Sequence, residues 1–214
     1  MSPADALPED FVSGNLYDKY RTGNPIYRRL MNGFLASCRE LLESVHADRI
    51  LEVGCGPGDL AGWLLPSVDW CRQADYLGTD VSTEEILTAS AAYPEKRFLS
   101  ASAYGLPVRD GAFDCLWACE VFEHLEDPVR ALDEVARVTS KYLLISVPWE
   151  PVWRMLNLAR GHYISDWGNT PGHLQHFSRA DLRRLVSRRF EILAERRPLP
   201  WTVLLARRRA DAFS

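Results

Sequence analysis

No apolar run in this sequence approaches the roughly 20 residues that a membrane span requires. No segment repeats another, and none is of low complexity. The first 16 residues are polar, with Pro3 and Pro8, and lack the apolar stretch of a secretory signal. The five cysteines, Cys38, Cys55, Cys71, Cys115 and Cys119, form no Cys-x-x-Cys pair and no disulfide-framework spacing. An odd count of this kind points to reduced, mostly buried thiols in a cytoplasmic protein without a membrane span. An excess of positive charge is lacking too. With 25 Lys and Arg against 29 Asp and Glu, the net charge of −4 weighs against general nucleic-acid affinity. Arginines do collect late in the chain, at Arg183-Arg184, Arg188-Arg189, Arg196-Arg197 and Arg207-Arg208-Arg209. They read either as solvated helix and strand faces or as an anion-attracting rim.

What is present suits one large domain: 214 residues, 47% of them hydrophobic. The most informative stretch is Arg49-Ile50-Leu51-Glu52-Val53-Gly54-Cys55-Gly56-Pro57-Gly58-Asp59. A nearly continuous apolar run reads as a buried strand, and glycines at alternate positions turn the chain. Asp59-Leu60-Ala61-Gly62-Trp63-Leu64-Leu65 then reads as a helix. In an open α/β sheet, a nucleotide-like ligand lies at such a junction, against the helix N-terminus. Glycine suits the loop because it accepts positive φ and admits a close ligand.

The rest of the chain alternates in the same way. A helix is expected from about Pro25 to Val45, with Ile26, Leu30, Phe34, Cys38 and Leu41-Leu42 on its buried face. Tyr17 and Tyr20 precede it as packing residues or as a lid over a ligand. Asp75-Tyr76-Leu77-Gly78-Thr79-Asp80 reads as the second strand, its last aspartate 22 positions beyond Gly58. A carboxylate there suits both ribose hydroxyls of a nucleoside. Ser82, with Glu85 three positions later, caps a helix over 83–92. Strands follow near Arg97-Phe98-Leu99, over Phe113–Ala118 and over Tyr142–Val147, with a helix from Asp127-Pro128 to about Thr139. Ser178 caps a helix over 179–188, and two closing strands, 190–193 and 201–205, are close enough to pair antiparallel.

Residues 149–177 break the alternation, with Trp149, Trp153, Tyr163, Trp167, His173, His176 and Phe177 in an irregular stretch. A connection of that length inside a compact domain is usually functional. Its aromatics suit an amphipathic pocket or lid, while Arg154 and Arg160 offer charge to an anionic group.

Four segments together resemble a class I S-adenosylmethionine-dependent methyltransferase of the small-molecule, UbiE/UbiG-like kind. They are Leu51–Gly58, Gly78-Thr79-Asp80-Val81-Ser82, Leu106-Pro107 with Phe113-Asp114, and Glu120-Val121-Phe122-Glu123-His124-Leu125. The likeness spans residues 48–148, and more loosely the segment before the last helix. It implies an α/β, Rossmann-like, doubly wound fold with a seven-stranded, mainly parallel sheet and an antiparallel last strand. In that reading the chain is a single methyltransferase domain. Residues 1–47 form a tail and cap helix, 48–148 the cofactor-binding core, 149–177 a substrate lid insertion, and 178–214 the closing helix and strands.

The resemblance also implies site roles. Gly54, Gly56 and Gly58, with Cys55, would cradle the methionine part of S-adenosylmethionine. Glu52 would order the loop and the ammonium end, Asp80 would take the ribose hydroxyls, and Val81 and Ala103 would flank the adenine. Cys119 and Glu120 would lie near the methyl group, with Tyr17 counted in the cofactor-binding set. At Ser102 the family often carries an acidic residue; serine still accepts a bond from the adenine amino group but brings no charge.

Methyl transfer from a sulfonium is an in-line displacement, so alignment of nucleophile, carbon and sulfur supplies much of the rate. A base is needed only where the nucleophile must lose a proton. His124, His173, His176 and Glu120 are the candidates, all expected at the ligand edge of the sheet. His124 reads equally well as a helix-start residue that fixes its loop. His173 and His176 lack a third ligand of clear spacing, so no metal is expected. The expected partner is a small-molecule acceptor methylated on O or N by a monomer or homodimer. The competing readings are an RNA or protein methyltransferase, a cofactor-binding but catalytically silent partner subunit, and a nicotinamide-dependent dehydrogenase. The last conflicts with the alternate-glycine spacing, which is not G-x-G-x-x-G.

Overall fold

A computed structural model describes residues 25–149 and 174–210 of the chain. Seven strands form one sheet: β1 (Arg49–Val53), β2 (Asp75–Asp80), β3 (Arg97–Ser100), β4 (Phe113–Cys119), β5 (Thr139–Pro148), β6 (Phe190–Arg196) and β7 (Trp201–Arg208). Their order is β3-β2-β1-β4-β5-β7-β6. Every pairing from β3 to β5 is parallel, while β7 runs antiparallel to both neighbours. The expected doubly wound sheet with a reversed last strand is the fold observed.

Burial on both faces accounts for the strand composition. β4 is buried at all seven positions, and β1 at its last four. Helices α1 (Pro25–Glu43) and α2 (Asp59–Ser67) cover one face, over Ile50, Tyr76, Cys115 and Trp117. On the opposite face, α4 (Pro128–Val138) and α5 (Arg179–Val186) cover Leu51, Leu116, Ile145 and Leu204. α3 (Thr83–Ala92) packs beside β2 and β3.

The helix starts follow cap chemistry. Ser82 Oγ accepts from the Glu85 N–H, and Asp127 Oδ1 accepts from the N–H groups of Val129 and Arg130. Ser178 and Asp181 form a reciprocal capping box. α2 differs, because its cap is Gly58 at φ 86° with no side chain to offer, which leaves its first N–H groups facing the ligand edge.

Two expectations shift. The buried face of α1 is Tyr27, Met31, Phe34, Leu35, Cys38, Leu41 and Leu42, while Ile26 is 70% exposed. The stripe is rotated because Tyr27 and Met31, rather than Ile26, join the apolar core cluster on this face of the sheet. β5 also begins three residues early, at Thr139, directly after α4 ends at Val138. Arg208 holds that junction through the Thr139 carbonyl (2.6 Å).

The arginine-rich end of the chain is partly neutralised in place. Arg183 and Arg197 pair with Glu195, Arg189 with Asp133, Arg196 with Glu40, and Arg207 with Glu191, at 2.6–2.9 Å. Such exposed pairs add little stability each. They do reduce the charge that an anion-attracting rim would need.

Gly62 lies inside α2 against Tyr93, whose ring also covers Gly58. A Cβ on Gly62 would come within 2.7 Å of Tyr93 Cζ. Gly→Ala inside a helix normally stabilises by about 1 kcal/mol. Here Gly62→Ala should destabilise by about 1–2 kcal/mol, because overpacking outweighs propensity. In a Tyr93→Ala background the same change should turn stabilising. A double-mutant cycle by urea denaturation checks both signs.

Candidate active site at the glycine loop

β1 ends at Val53, and the chain then enters a loop whose three glycines all have positive φ: 69° at Gly54, 51° at Gly56 and 86° at Gly58. The Cys55 N–H donates to the Thr79 carbonyl (2.9 Å) and the Gly58 N–H to the Cys55 carbonyl (3.0 Å). The turn is therefore pinned to the tip of β2. Asp80 completes the clasp from that tip. The Gly56 N–H donates to its Oδ2 and the Ser82 N–H to its Oδ1, each at 2.9 Å. One carboxylate thus binds the loops after β1 and β2 together.

The loop after β4 closes the other side. Glu120 is the one non-glycine residue with positive φ (61°) among the described residues, and its N–H donates to the Ser146 carbonyl on β5 (3.1 Å). Strain of this kind concentrates at functional positions. Val121, next in sequence, packs so closely on Gly54 that a Cβ there would overlap its Cγ2. A cleft opens between these loops, lined by Glu52, Gly54, Cys55, Pro57, Asp59, Cys119 and Glu120. Met31 and Phe34 of α1 and Trp201 of β7 supply its apolar wall, with the Phe34 and Trp201 rings 5.0 Å apart. Its carboxyl groups face no lysine or arginine among the described lining residues.

Glu52 is the least ordinary of these groups. It is 2% exposed, and the Tyr76 hydroxyl donates to its Oε2 at 2.5 Å. Burial pushes its pKa up from 4.5 to about 8. The Tyr76 hydrogen bond opposes that rise, and Asp80 and Asp59 add to it. Burial likewise pushes the Cys55 thiol well above its ordinary value, which marks it as a packing residue rather than a nucleophile.

The remaining candidates lie along the same sheet edge. Val81 is half-buried beside Asp80. Ser102 is exposed, its Oγ accepting from the Tyr104 N–H (3.2 Å), and Ala103 is half-buried next to it. Cys119 ends β4 inside the cleft wall. His124 ends a short 3₁₀ turn, Phe122–His124, with its N–H donating to the Val121 carbonyl (3.0 Å). His176 is exposed and lies one residue from a clasp on that turn. The Leu174 and Gln175 N–H groups donate to the Glu123 carbonyl at 2.8 and 2.9 Å, and Gln175 Nε2 donates to the Leu125 carbonyl. Tyr17 and His173 lie outside the described residues, as do Trp153, Arg154, Arg160, Tyr163 and Trp167.

One motif proves to be structural. Asp114 is buried at the far end of β4, bound by Arg49 (3.1 Å) and the Ser140 hydroxyl (3.0 Å), well away from the cleft. Tyr76, Asp59, Met31, Phe34 and Trp201 also belong to the candidate site, where no motif places them. For Tyr76 a signal existed. Glu52 registers with Gly78 on the parallel neighbour strand, so the tyrosine two residues before Gly78 shares its face, and the missing Cβ leaves room for the hydroxyl.

The strand order, the left-handed glycine turn and the acid at the tip of β2 define a class: a class I, S-adenosylmethionine-dependent methyltransferase domain. Residues 51–142 match the family described as a methyltransferase domain. The O-methyltransferase rstn1 of Aspergillus nomiae is 36% identical over 105 residues, covering 46% of this chain and 45% of that protein. The matched part is thus less than half the length of that relative. Among solved structures, magnesium protoporphyrin IX methyltransferase (ChlM) from Synechocystis, with bound SAH, superposes with a TM-score of 0.65 at 17% identity. That match covers 88% of this chain and 89% of the other. The [4+2]-cyclase SpnF superposes at 0.62 and 18% identity, over 82% and 80% of the two chains. Among the described residues no helix is long and apolar enough to cross a membrane.

A group with a raised acid pKa favours the folded state when protonated, so the Glu52 contribution declines as pH rises from 4.5 through about 8. The stability of the protein relative to Glu52→Gln should therefore fall by about 1.4 kcal/mol per pH unit between roughly pH 5.5 and 7.5. Urea melts of both proteins across that range check the slope.

Proposed function

We propose that this protein is a methyltransferase that moves the methyl group of S-adenosylmethionine to an O or N nucleophile of a small-molecule acceptor. The observation that carries the reading is the Asp80 clasp, which sets a carboxylate one strand away from three left-handed glycines. Each Asp80 oxygen keeps a lone pair for a ribose hydroxyl while it accepts one backbone N–H. The donor set suits the cofactor as well. An acid-lined cleft with no basic lining residue among those described matches a ligand that bears a sulfonium and an ammonium. The bare first turn of α2 matches its carboxylate. Ser102 and Ala103 would meet the adenine edge, and Val81 its face.

When bound, the cofactor supplies a methyl group already activated by positive sulfur, which leaves the protein three tasks. Gly54, Gly56 and Gly58 allow the backbone to approach the ligand. Glu120 and Cys119 border the acceptor's line of approach, and Met31, Phe34 and Trp201 keep water from the cleft. His124 and His176 are the proposed proton acceptors for a hydroxyl or ammonium nucleophile, with His173 beside them in sequence. The acceptor is read as a neutral or apolar small molecule. The printed names of relatives such as the O-methyltransferase rstn1 accord with this. Pairing of Arg183, Arg189, Arg196, Arg197 and Arg207 with four carboxylates lowers the positive charge open to an RNA acceptor.

Calorimetry should show S-adenosylmethionine and S-adenosylhomocysteine binding at micromolar strength. Asp80→Ala should weaken both by roughly tenfold or more, as expected for loss of hydrogen bonds to a charged group. Equal titrations of the wild type and Asp80→Ala would overturn the assignment.

A further inference from the structure

Glu52 presents a charge problem that the ribose and adenine contacts do not address. Its carboxyl is almost wholly buried. Apart from the Trp117 ring in register with it on β4, the titratable groups facing it from each packed element among the described residues are acids or weak acids. They are Tyr76 and Asp80 on β2, Cys55 and Asp59 around the start of α2, and Cys119 and Glu120 at the end of β4. α1 contributes apolar Met31 and Phe34, with the Cys38 thiol beside Cys119. An anionic Glu52 in that company lacks a cation, and a buried unpaired charge is the arrangement proteins avoid. The Tyr76 hydroxyl, 2.5 Å away, is the one hydrogen-bond donor to its side chain among the described residues.

We infer that Glu52 is held as the neutral acid in the ligand-free protein and gives its proton to solvent when an ammonium-bearing ligand enters the cleft, the Tyr76 hydroxyl steadying the carboxylate that results. This rests on the cofactor reading above. The O–H bond of the carboxyl breaks, the proton passes through the cleft to buffer, and the ligand's positive charge takes its place, so the charge of the site is conserved. Glu52 is thus a charge-exchanging receptor for an amino-acid ammonium, and Tyr76 is a positioning residue acting through it. A nucleoside thioether without the amino-acid end fills the adenosine subsite but leaves Glu52 protonated.

Titration calorimetry at pH 6.5, in buffers of different ionisation enthalpy, counts the protons released. With a raised pKa of about 8, Glu52 carries its proton at that pH. S-adenosylhomocysteine, which keeps the ammonium and lacks the sulfonium, should release close to one proton per site. 5′-Methylthioadenosine, which lacks the ammonium, should release none. The affinity for S-adenosylhomocysteine should rise about tenfold per pH unit below the Glu52 pKa, and Glu52→Gln should abolish both the release and that slope. Tyr76→Phe removes the bond that favours the anion. It should keep the proton release, weaken S-adenosylhomocysteine about three- to tenfold, and move the plateau of affinity to higher pH. That variant tests the pair even if Glu52→Gln does not fold. Binding of S-adenosylhomocysteine without proton release, or equal release by 5′-methylthioadenosine, would overturn the inference while leaving the methyltransferase reading intact. If the folded protein binds neither S-adenosylmethionine nor S-adenosylhomocysteine, the methyltransferase reading itself fails. Unchanged affinity and pH profile in Tyr76→Phe would remove Tyr76 from the mechanism.

Discussion

The ligand edge of this domain depends on the Asp80 carboxylate and the two backbone N–H groups it binds. Gly56 and Ser82 belong to different loops, and neither loop has regular structure to hold it. With Cys55 also tied to the Thr79 carbonyl, the glycine turn keeps a left-handed path that no other residue type could follow cheaply. The bare start of α2, the position of Asp59 and the approach of Val121 to Gly54 all follow from that path. Asp80 is therefore a structural clasp in its own right, and the remaining lone pairs of its oxygens are oriented in advance. Preorganisation of this kind reduces the ordering that a ligand must otherwise impose.

The same cleft shows how a domain tolerates several acids in one place. At the far end of β4, Asp114 is matched by Arg49 and Ser140 in a conventional buried pairing. Around Glu52 no such cation exists among the described lining residues, and a phenol takes its place. The first arrangement is complete as an ion pair in the protein alone. The second is neutral only while the acid keeps its proton, which separates a structural acid from a receptive one.

Much of this was legible from residue order. The alternate glycines, Asp80, the caps at Ser82, Asp127 and Ser178, and the reversed last strand each have a local chemical cause, and a local cause can be read along the chain. Three features were harder to see. The rotation of α1 about its axis depends on which of its faces the sheet covers, a tertiary fact. The Tyr76–Glu52 bond depends on inter-strand register, in which the gap at Gly78 matters more than any motif. The apolar wall joins Phe34 to Trp201 across more than 160 residues of sequence, and no spacing rule connects them.

Trp201 carries a consequence of its own. It opens β7, the last strand of this sheet in chain order, yet β7 lies inside the sheet, between β5 and β6. Until it is inserted, β5 is an open edge bearing Leu143, Ile145 and Val147, and the cleft has one wall from α1 and none facing it. The chain therefore cannot assemble its cofactor site progressively as it emerges. α1 waits for β7, and the folding domain must protect an apolar edge until that strand is in place.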